Sequence, residues 1–224
     1  KTLNFKKTKF YQAGTSEMFG ESPPPQNELT IFRPQSPYAA AKLYAHWITV
    51  CYRDAYNLFA CNGILFNHES PVRGETFVTK KIISGLCKIK AGRKNTLYLG
   101  NLYAKRDWGH AKDYVEAMWK MLQKRNASDY VIATGKSYSV KDFVNLASKE
   151  LKMDIKWKGK GLKEIGIYKN KAIIKIDKKY FRPLEVEHLR GNYRKAKNVL
   201  NWSPKNSLKQ LIKDMIISEL NEVK

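Results

Sequence analysis

Acidic side chains are scarce in this chain of 224 residues, because 20 Asp and Glu stand against 42 Lys and Arg, a formal net charge of +22. Such an imbalance raises the question of a nucleic-acid or anionic-membrane partner. The excess, however, is mostly scattered lysine that alternates with apolar positions, and it is densest from Lys156 to Lys179. A general bias towards Lys, Asn, Ile and Tyr explains this pattern, so we expect no specific nucleic-acid partner.

Cysteines and long apolar runs are also few. Cys51, Cys61 and Cys87 are odd in number, lie far apart and form no C-x-x-C pair, which indicates buried or incidental thiols in a reducing compartment. The sequence has no run of roughly 18–20 apolar residues of the kind that crosses a bilayer. We therefore expect a cytoplasmic protein without membrane contact. We also expect no metal site, because the four histidines show no ligand spacing: His46, His68, His110 and His188.

The most informative residues that are present are Tyr38 and Lys42. Ser36 suits a helix N-cap and Pro37 the first helical position, so the sequence predicts a helix from Pro37 to about Tyr56. Tyr38 and Lys42 then share one helical face. An ammonium and a cationic nicotinamide would stabilise a tyrosinate, which makes this spacing suitable for proton abstraction. Alone, however, the pair is also compatible with an ordinary helix surface.

Strand signals flank this helix. Residues 10–14 and 58–66 read as strands, which gives a strand–helix–strand unit and hence parallel pairing. Thr15-Ser16-Glu17 and Asn67-His68-Glu69 follow the two strands, so we expect both clusters at the same crevice. Thr15 and Ser16 could equally cap a turn, and Glu17 could be an ordinary first-turn acid.

The periodicity of the remaining chain predicts further elements. Apolar spacing indicates helices over 77–91, around 115–122 and over 208–216, with short strands at 97–99 and 130–133 and a loop over 100–109. Ser139 and Asp142 resemble a capping box that opens a helix through Leu151. Lys169-Asn170 separates two apolar runs that we expect to form a hairpin over the ligand. The fold class is therefore α/β.

Several blocks together resemble one family, the GDP-mannose 4,6-dehydratases of the extended short-chain dehydrogenase/reductase group. The similarity runs from about Phe10 to the last helix. The matching blocks are YQAGTSEMFG (Tyr11–Gly20), SPYAAAK (Ser36–Lys42), LFNHESP (Leu65–Pro71), GNL (Gly100–Leu102), AKRDWGHAKDYVEAMW (Ala104–Trp119), IATG (Ile132–Gly135) and YFRPLEV (Tyr180–Val186).

The resemblance implies a function and a set of site residues. It implies NADP-dependent conversion of GDP-mannose to GDP-4-keto-6-deoxy-mannose, with Tyr38 as base, Lys42 lowering its pKa and binding the nicotinamide ribose, and Thr15 bonding the sugar 4-oxygen. Glu17 would take the C5 proton, a role that an epimerase does not need. His68 and Arg73 would contact the cofactor. The residues that would hold the sugar nucleotide are Asn67, Lys81, Arg106, Arg182 and Glu185. An exposed ion pair between Arg106 and Asp107 is the structural alternative.

The family's glycine-rich turn, which binds the cofactor pyrophosphate, is absent from these 224 residues. We therefore expect a C-terminal portion: a partial Rossmann-like, doubly wound parallel sheet plus a smaller α/β substrate-binding domain. The resemblance implies that residues 1–71 and 108–135 belong to the NADP-binding domain. Residues 72–107 and 136–224 would bind the sugar nucleotide.

The partial sheet also bears on assembly and activity. Half a doubly wound sheet leaves an unpaired edge, so we expect poor solubility or obligate association, and an isolated chain that is inactive. Partners would be copies of itself, as a dimer or tetramer, or a missing N-terminal half. Val72 stands where many family members carry an arginine that reaches a neighbouring subunit, which puts a tetramer in question. The alternatives are a non-catalytic basic binding module for nucleic acid or protein, and an epimerase or reductase of the same fold.

Overall fold

The structure is a computed structural model that describes residues 8–181 and 184–222. The predicted site residue Arg182 lies outside the described residues. The strands are β1 (Phe10–Ala13), β2 (Ala60–Leu65), β3 (Asn67–Glu69), β4 (Leu97–Leu99), β5 (Lys105–Arg106), β6 (Trp108–His110), β7 (Tyr130–Ile132), β8 (Tyr138–Ser139), β9 (Lys156–Lys158), β10 (Ile165–Tyr168) and β11 (Lys171–Ile176). The helices are α1 (Pro37–Tyr56), α2 (Val78–Lys90), α3 (Ala111–Leu122), α4 (Val140–Glu150), α5 (Arg194–Leu200) and α6 (Leu208–Glu222). Short 3-10 turns span Ser16–Phe19, Gly161–Lys163 and Lys178–Tyr180.

The chain divides into two compact units. The first unit contains the described residues up to His68, Arg106–Ser137 and Val186–Lys205, and the second contains Glu69–Lys105, Tyr138–Glu185 and the residues from Asn206 onwards. Residues 186–205 thus belong to the first unit, whereas the sequence-based division placed all of 136–224 with the second.

A three-stranded parallel sheet, in the order β1-β2-β7, forms the centre of the first unit. Every residue of β2 is buried, and its alternate side chains enter two separate apolar clusters. Cys61 and Leu65 join Tyr114, Met121 and Trp202 on one side, whereas Ile64 joins a cluster around Met18, Phe19 and Phe66 on the other. Because successive strand residues face opposite sides, one short strand supplies both cores. The α/β fold class is confirmed.

Helix α1 has the bounds that the sequence predicts. The Ser36 hydroxyl accepts a hydrogen bond from Ala39 N at 3.1 Å, and Pro37 occupies the first turn. The helix ends at Asn57, whose φ of 51° lies in the left-handed region that terminates helices. The strand–helix–strand prediction is confirmed, since β1, α1 and β2 follow one another and β1 pairs with β2 in parallel.

The two edge strands of this sheet, β7 and β1, differ in how their outward backbone groups are hydrogen-bonded. At β7, Glu28 Oε1 accepts from Val131 N at 2.8 Å, and burial raises the pKa of this carboxyl. That bond satisfies an N–H that the sheet ladder leaves unpaired. At the opposite edge, β1 has no second strand partner among the described residues. The expected unpaired edge is therefore present, and the predicted poor solubility remains a prediction.

The segment from Val186 to Asn192 is fixed to the first unit by Gln26, which is fully buried. Gln26 N donates to Arg190 O and Gln26 Oε1 accepts from Arg190 N, each at 2.9 Å. Its Nε2 donates to Ser22 O at 2.9 Å and to His188 O at 3.2 Å. One amide side chain and its backbone thus replace a strand pairing, which explains why this stretch joins the first unit.

The second unit contains a mixed sheet in the order β4-β11-β10-β9 and the helices α2, α4 and α6, which pack on one another. The predicted hairpin is confirmed as β10–β11, with Lys169 and Asn170 at φ of 48° and 61° in its turn. The predicted capping box is also confirmed, because Ser139 Oγ accepts from Asp142 N at 3.0 Å and Asp142 Oδ2 accepts from Ser139 N at 2.9 Å. A buried ion pair of 2.9 Å joins Lys80 of α2 to Glu219 of α6.

Two elements differ from the sequence-based prediction. Residues 100–109 are not a continuous loop, because β5 and β6 occur within and just beyond them. Helix α5 was not predicted, since its seven residues carry too few apolar positions to show a period. It forms because Ala196 and Leu200 pack into the first unit's core, next to Trp202, whose Nε1 donates to Asp113 O at 2.8 Å. Among the described residues, no helix combines the length and apolar character needed to span a membrane.

A charged network closes the amino-terminal ends of β2 and β7. Arg53 holds Asp129 through two bonds, at 2.7 and 3.2 Å, and Asn62 Nδ2 donates to the same carboxylate at 2.9 Å. Burial acts to raise the pKa of Asp129, but the bonds from Arg53 and Asn62 outweigh it, so the pKa lies below its ordinary value.

We predict that Asp129→Asn lowers the free energy of unfolding by about 2–4 kcal/mol at pH 7, because Arg53 loses its paired carboxylate. The wild-type advantage should be present above about pH 4 and disappear on acidification, since a lowered folded-state pKa stabilises only while the group is ionised. Denaturant unfolding between pH 3 and pH 7 tests this. Asp54→Asn is the control, because Asp54 is an exposed partner of the same arginine at 3.5 Å. Equal losses in the two variants would contradict the prediction.

Candidate active site

Thr15 and Glu17 lie directly after β1, in the turn that opens the Ser16–Phe19 segment. Thr15 is the N-cap of this turn, and its Oγ1 accepts from Glu17 N at 3.3 Å. Both side chains are half-buried, whereas Met18 and Phe19 are fully buried and anchor the turn in the core. Capping therefore accounts for one lone pair of Thr15 and leaves the hydroxyl hydrogen available to a ligand.

Tyr38 and Lys42 lie on α1, which packs against that turn. Lys42 Nζ donates to Ala13 O, at the carboxyl end of β1, over 3.1 Å, and it lies 5.8 Å from the centroid of the Tyr38 ring. Tyr38 is 57% exposed. The lysine thus connects the helix carrying the tyrosine to the strand that leads into Thr15 and Glu17.

Asn67 and His68 follow β2, the strand adjacent to β1. Asn67 Oδ1 is buried and has no hydrogen-bond partner among the described residues. A buried polar atom of this kind requires a donor from water or a ligand. His68 Nδ1 lies 3.0 Å from Phe66 O, which assigns it as the donor because a carbonyl only accepts. The imidazole stacks on Tyr114 with centroids 4.9 Å apart.

Arg106 and Asp107 are both buried and both bind the backbone. Arg106 Nη1 donates to Val186 O at 2.6 Å. Asp107 accepts four bonds, from Thr134 N at 2.8 Å, Thr134 Oγ1 at 2.6 Å, Gly135 N at 2.9 Å and Gly191 N at 3.2 Å. The alternative of an exposed ion pair between these neighbours is therefore wrong, since neither side chain is exposed.

Asp107 is a structural residue that sequence reasoning missed. Burial raises its pKa to about 6, although the four hydrogen bonds act in the opposite direction. Its bonds join the turn after β7 to Gly191, and so fix the carboxyl end of β7. In the sequence, Asp107 stands out only as a carboxylate between an arginine and a tryptophan, and this pattern does not show which groups Asp107 binds.

The second unit holds three further predicted residues. Arg73 Nε lies 3.0 Å from Glu69 Oε2, and its guanidinium carbon lies 3.4 Å from the centroid of the Phe77 ring. Burial raises the pKa of Glu69, which also accepts from Thr79 Oγ1 at 2.8 Å. Lys81 Nζ lies 3.3 Å from the centroid of the Tyr180 ring, and Glu185 is half-buried.

Seven of the predicted residues belong to the first unit: Thr15, Glu17, Tyr38, Lys42, Asn67, His68 and Arg106. The first four lie at the turn after β1 or on the helix packed against it, and Asn67 and His68 directly follow β2, whereas Arg106 contacts Val186. Arg73, Lys81 and Glu185 belong to the second unit. Within the described residues, no group of three or more His, Cys, Asp or Glu is arranged to hold a metal ion.

A parallel sheet followed at its carboxyl end by a tyrosine and a lysine four residues apart agrees with the Rossmann-like fold of the extended short-chain dehydrogenase/reductase group. Solved structures agree on the fold. RMD from Pseudomonas aeruginosa, solved with NADPH, matches with a TM-score of 0.83 at 19% identity, over 99% of this chain and 69% of that chain. UDP-glucose 4-epimerase from Thermotoga maritima matches with a TM-score of 0.79 at 22% identity, over 100% of this chain and 66% of that chain.

Sequence comparison gives the family. Residues 1–215 match the family described as GDP-mannose 4,6 dehydratase, and the chain belongs to this family. The GDP-mannose 4,6 dehydratase of Dictyostelium discoideum is 54% identical over 98% of this chain and 62% of its own length. That of Drosophila melanogaster is 53% identical over 96% of this chain and 55% of its own length. The GDP-mannose 4,6-dehydratase of Vibrio cholerae is 50% identical over 97% of this chain and 62% of its own length. The chain therefore spans less than two thirds of the length of these relatives.

We predict that Asp107→Ala lowers the free energy of unfolding by about 3–5 kcal/mol, because the buried N–H of Gly191 and three partly buried donors of Thr134 and Gly135 lose their acceptor. Thr134→Val removes only one of these donors and should cost about 1 kcal/mol. Chemical denaturation of both variants measures the difference. Similar losses in the two variants would show that Asp107 does not hold the turn and Gly191 together.

Proposed function

We propose that the chain carries the acid–base residues of a GDP-mannose 4,6-dehydratase, which converts GDP-mannose to GDP-4-keto-6-deoxy-mannose. The observation that carries this proposal is the 3.1 Å bond from Lys42 to Ala13 O, which places the helix of Tyr38 at the turn of Thr15 and Glu17. Family membership supports the substrate. An epimerase of the same fold is less well supported, because it has no use for a base at Glu17.

The proposal includes a nicotinamide cofactor, and specifically NADP. The neighbouring structures solved with NADPH or NAD support the cofactor class. Tyr38, Lys42, His68 and Arg73 would contact it, and Lys42 fits because its bond to Ala13 O leaves two ammonium hydrogens free to donate. When bound, the cofactor supplies the acceptor, and later the donor, of a hydride. These 224 residues contain no G-x-G-x-x-G sequence, so their contribution to such a site consists of the four residues named above and not of a glycine-rich turn.

Tyr38 would remove the proton of the sugar 4-hydroxyl. The tyrosine is more than half exposed, so its phenol is open to a ligand. Lys42 would stabilise the tyrosinate by its positive charge. Thr15 would donate its hydroxyl hydrogen to the sugar 4-oxygen, since the lone pair used in capping does not engage that hydrogen.

Glu17 would then act on the 4-keto sugar. The ketone acidifies the C5 proton, and a carboxylate two residues after Thr15 is suited to take that proton and assist loss of the C6 hydroxyl as water. The backbone of Glu17 is fixed by the Thr15 cap, while its side chain is half-buried. Fixing the base in this way lowers the entropic cost of proton transfer.

Asn67, Lys81, Arg106, Arg182 and Glu185 would bind the sugar nucleotide. The buried Oδ1 of Asn67, which has no partner among the described residues, supports a ligand donor at this position. Arginine suits a diphosphate because its planar fork gives paired, charge-assisted bonds. The domain boundaries stated under Sequence analysis, the homo-oligomer or N-terminal partner, and the cytoplasmic location remain proposals.

Turnover of GDP-mannose tests the proposed function. The chain would be assayed with NADP⁺ alone, and after mixing with the part of the Dictyostelium relative that this chain does not cover, with the 4-keto product followed by mass. A chimera in which this chain replaces the matching part of that relative avoids dependence on assembly. Product from the mixture or the chimera supports the proposal. Absence of product in both, with the intact relative active, would contradict it.

We predict that Glu17→Gln in the active form lowers kcat by about 10²–10⁴-fold, because an amide cannot accept the C5 proton. The measurement is product formation by mass, with thermal unfolding as a check on the fold. Glu21→Gln is the matched control, because Glu21 is an exposed glutamate four residues further on. Unchanged turnover in the Glu17 variant would remove Glu17 from its role as base.

A further inference from the structure

Lys81, which has a proposed role in substrate binding, lies in the second unit in a cluster with Tyr180 and Lys179, to which no role has been given so far. Lys81 Nζ lies 3.3 Å from the centroid of the Tyr180 ring, directly against its face, and Lys179 Nζ lies 4.9 Å from the same centroid. Two ammonium groups therefore share one aromatic ring. Such cation–π contacts are favourable and increase in strength as the cation loses water.

Backbone contacts fix the position of Tyr180. Asp177 N donates to Leu99 O at 2.9 Å, so the turn that follows is tied to the end of β4. A Cβ on Gly100 would lie 2.5 Å from Tyr180 O, so only glycine lets the two backbones approach this closely. Tyr180 N in turn donates to Asp177 O at 3.1 Å. The backbone of Tyr180 is thus held against Leu99 and Gly100 at the end of β4.

The electrostatics of the cluster favour an anion. Burial lowers the pKa of Lys81, the Tyr180 phenol acts to raise it through its charge and a hydrogen bond, and Lys94 and Lys179 lower it further. The Lys81 ammonium in turn lowers the pKa of the Tyr180 phenol. Asp177 lies 3.5 Å from Lys179, but no carboxylate among the described residues lies within ion-pair distance of Lys81. An ammonium that is partly buried and lacks a carboxylate gains most from an anionic ligand.

We propose that Tyr180 is a positioning residue that holds the Lys81 ammonium in place for the phosphate groups of a nucleotide sugar. The inference rests on the proposed function, because Lys81 is there a substrate-binding residue. Lysine has a long flexible side chain, and contact with the ring face removes part of its freedom before the ligand arrives. Lys94 and Lys179 add positive potential around the same position.

Calorimetric binding of GDP and of inorganic pyrophosphate to the 224-residue chain tests this. Tyr180→Leu removes the ring and should weaken both ligands about tenfold, whereas Tyr180→Phe keeps the ring face and should stay within about threefold. Lys81→Met should weaken both at least as much as Tyr180→Leu. In the Lys81→Met background, Tyr180→Leu should have no further effect, because the ring acts through the lysine. Tyr98→Leu is the control, since Tyr98 and Tyr180 are both 43% exposed and lie in the same unit.

Gly100→Ala gives a second test that leaves the ring intact. It should displace the turn and weaken both ligands as Tyr180→Leu does. Independent, additive losses for Tyr180→Leu and Lys81→Met would overturn the inference, as would a loss seen with GDP but not with pyrophosphate.

Two further outcomes separate the inference from the proposed function. Coupled losses in a protein that forms no 4-keto product would support the positioning role and reject only the dehydratase. A chain that binds neither ligand would overturn the positioning role.

Discussion

The parallel pairing of β1, β2 and β7 is the constraint on which the rest of the first unit depends. Parallel strands end at the same edge, so the residues that follow each strand meet without any specific attraction between them. Because β2 is buried on both faces, a slip of one residue in its register against β1 and β7 would exchange Ile64 and Leu65 between two differently shaped apolar clusters, so packing fixes the register. The strand ends that carry the candidate site are therefore fixed mainly by apolar packing.

Two buried polar side chains extend this arrangement beyond the strands. Gln26 and Asp107 each bind backbone groups of the stretch from Val186 to Asn192, and Arg106 adds a third contact at Val186 O. This stretch forms only one isolated bridge, between Gln26 and Gly191. Side-chain groups of Gln26, Arg106 and Asp107 thus hydrogen-bond the backbone of this stretch, as a neighbouring strand would in a sheet. The cost of burying them is met because their hydrogen bonds are satisfied by backbone partners.

The sequence predicted the parts of the fold whose signals are local. The Ser36 cap, Pro37 and the apolar period defined α1, and Lys169-Asn170 between β-forming runs defined the hairpin. It missed α5, because that helix is stabilised by contacts with Trp202 and the core and not by its own pattern. It also missed the role of Asp107, whose four partners are spread over residues 134, 135 and 191. Partners distant in sequence leave no trace in periodicity or spacing.

The predicted site residues differ in how far their surroundings support them. Lys42 and Asn67 have surroundings that suit a ligand. Lys42 bonds a strand's last carbonyl with one of its three ammonium hydrogens, and the buried Oδ1 of Asn67 has no donor among the described residues. Arg73 is the opposite case. Its stacking on Phe77 and its ion pair with Glu69 would hold the loop before α2 even without a cofactor. A cofactor contact by Arg73 would therefore have to compete with, or add to, these two contacts, whereas Lys42 and Asn67 need give up nothing.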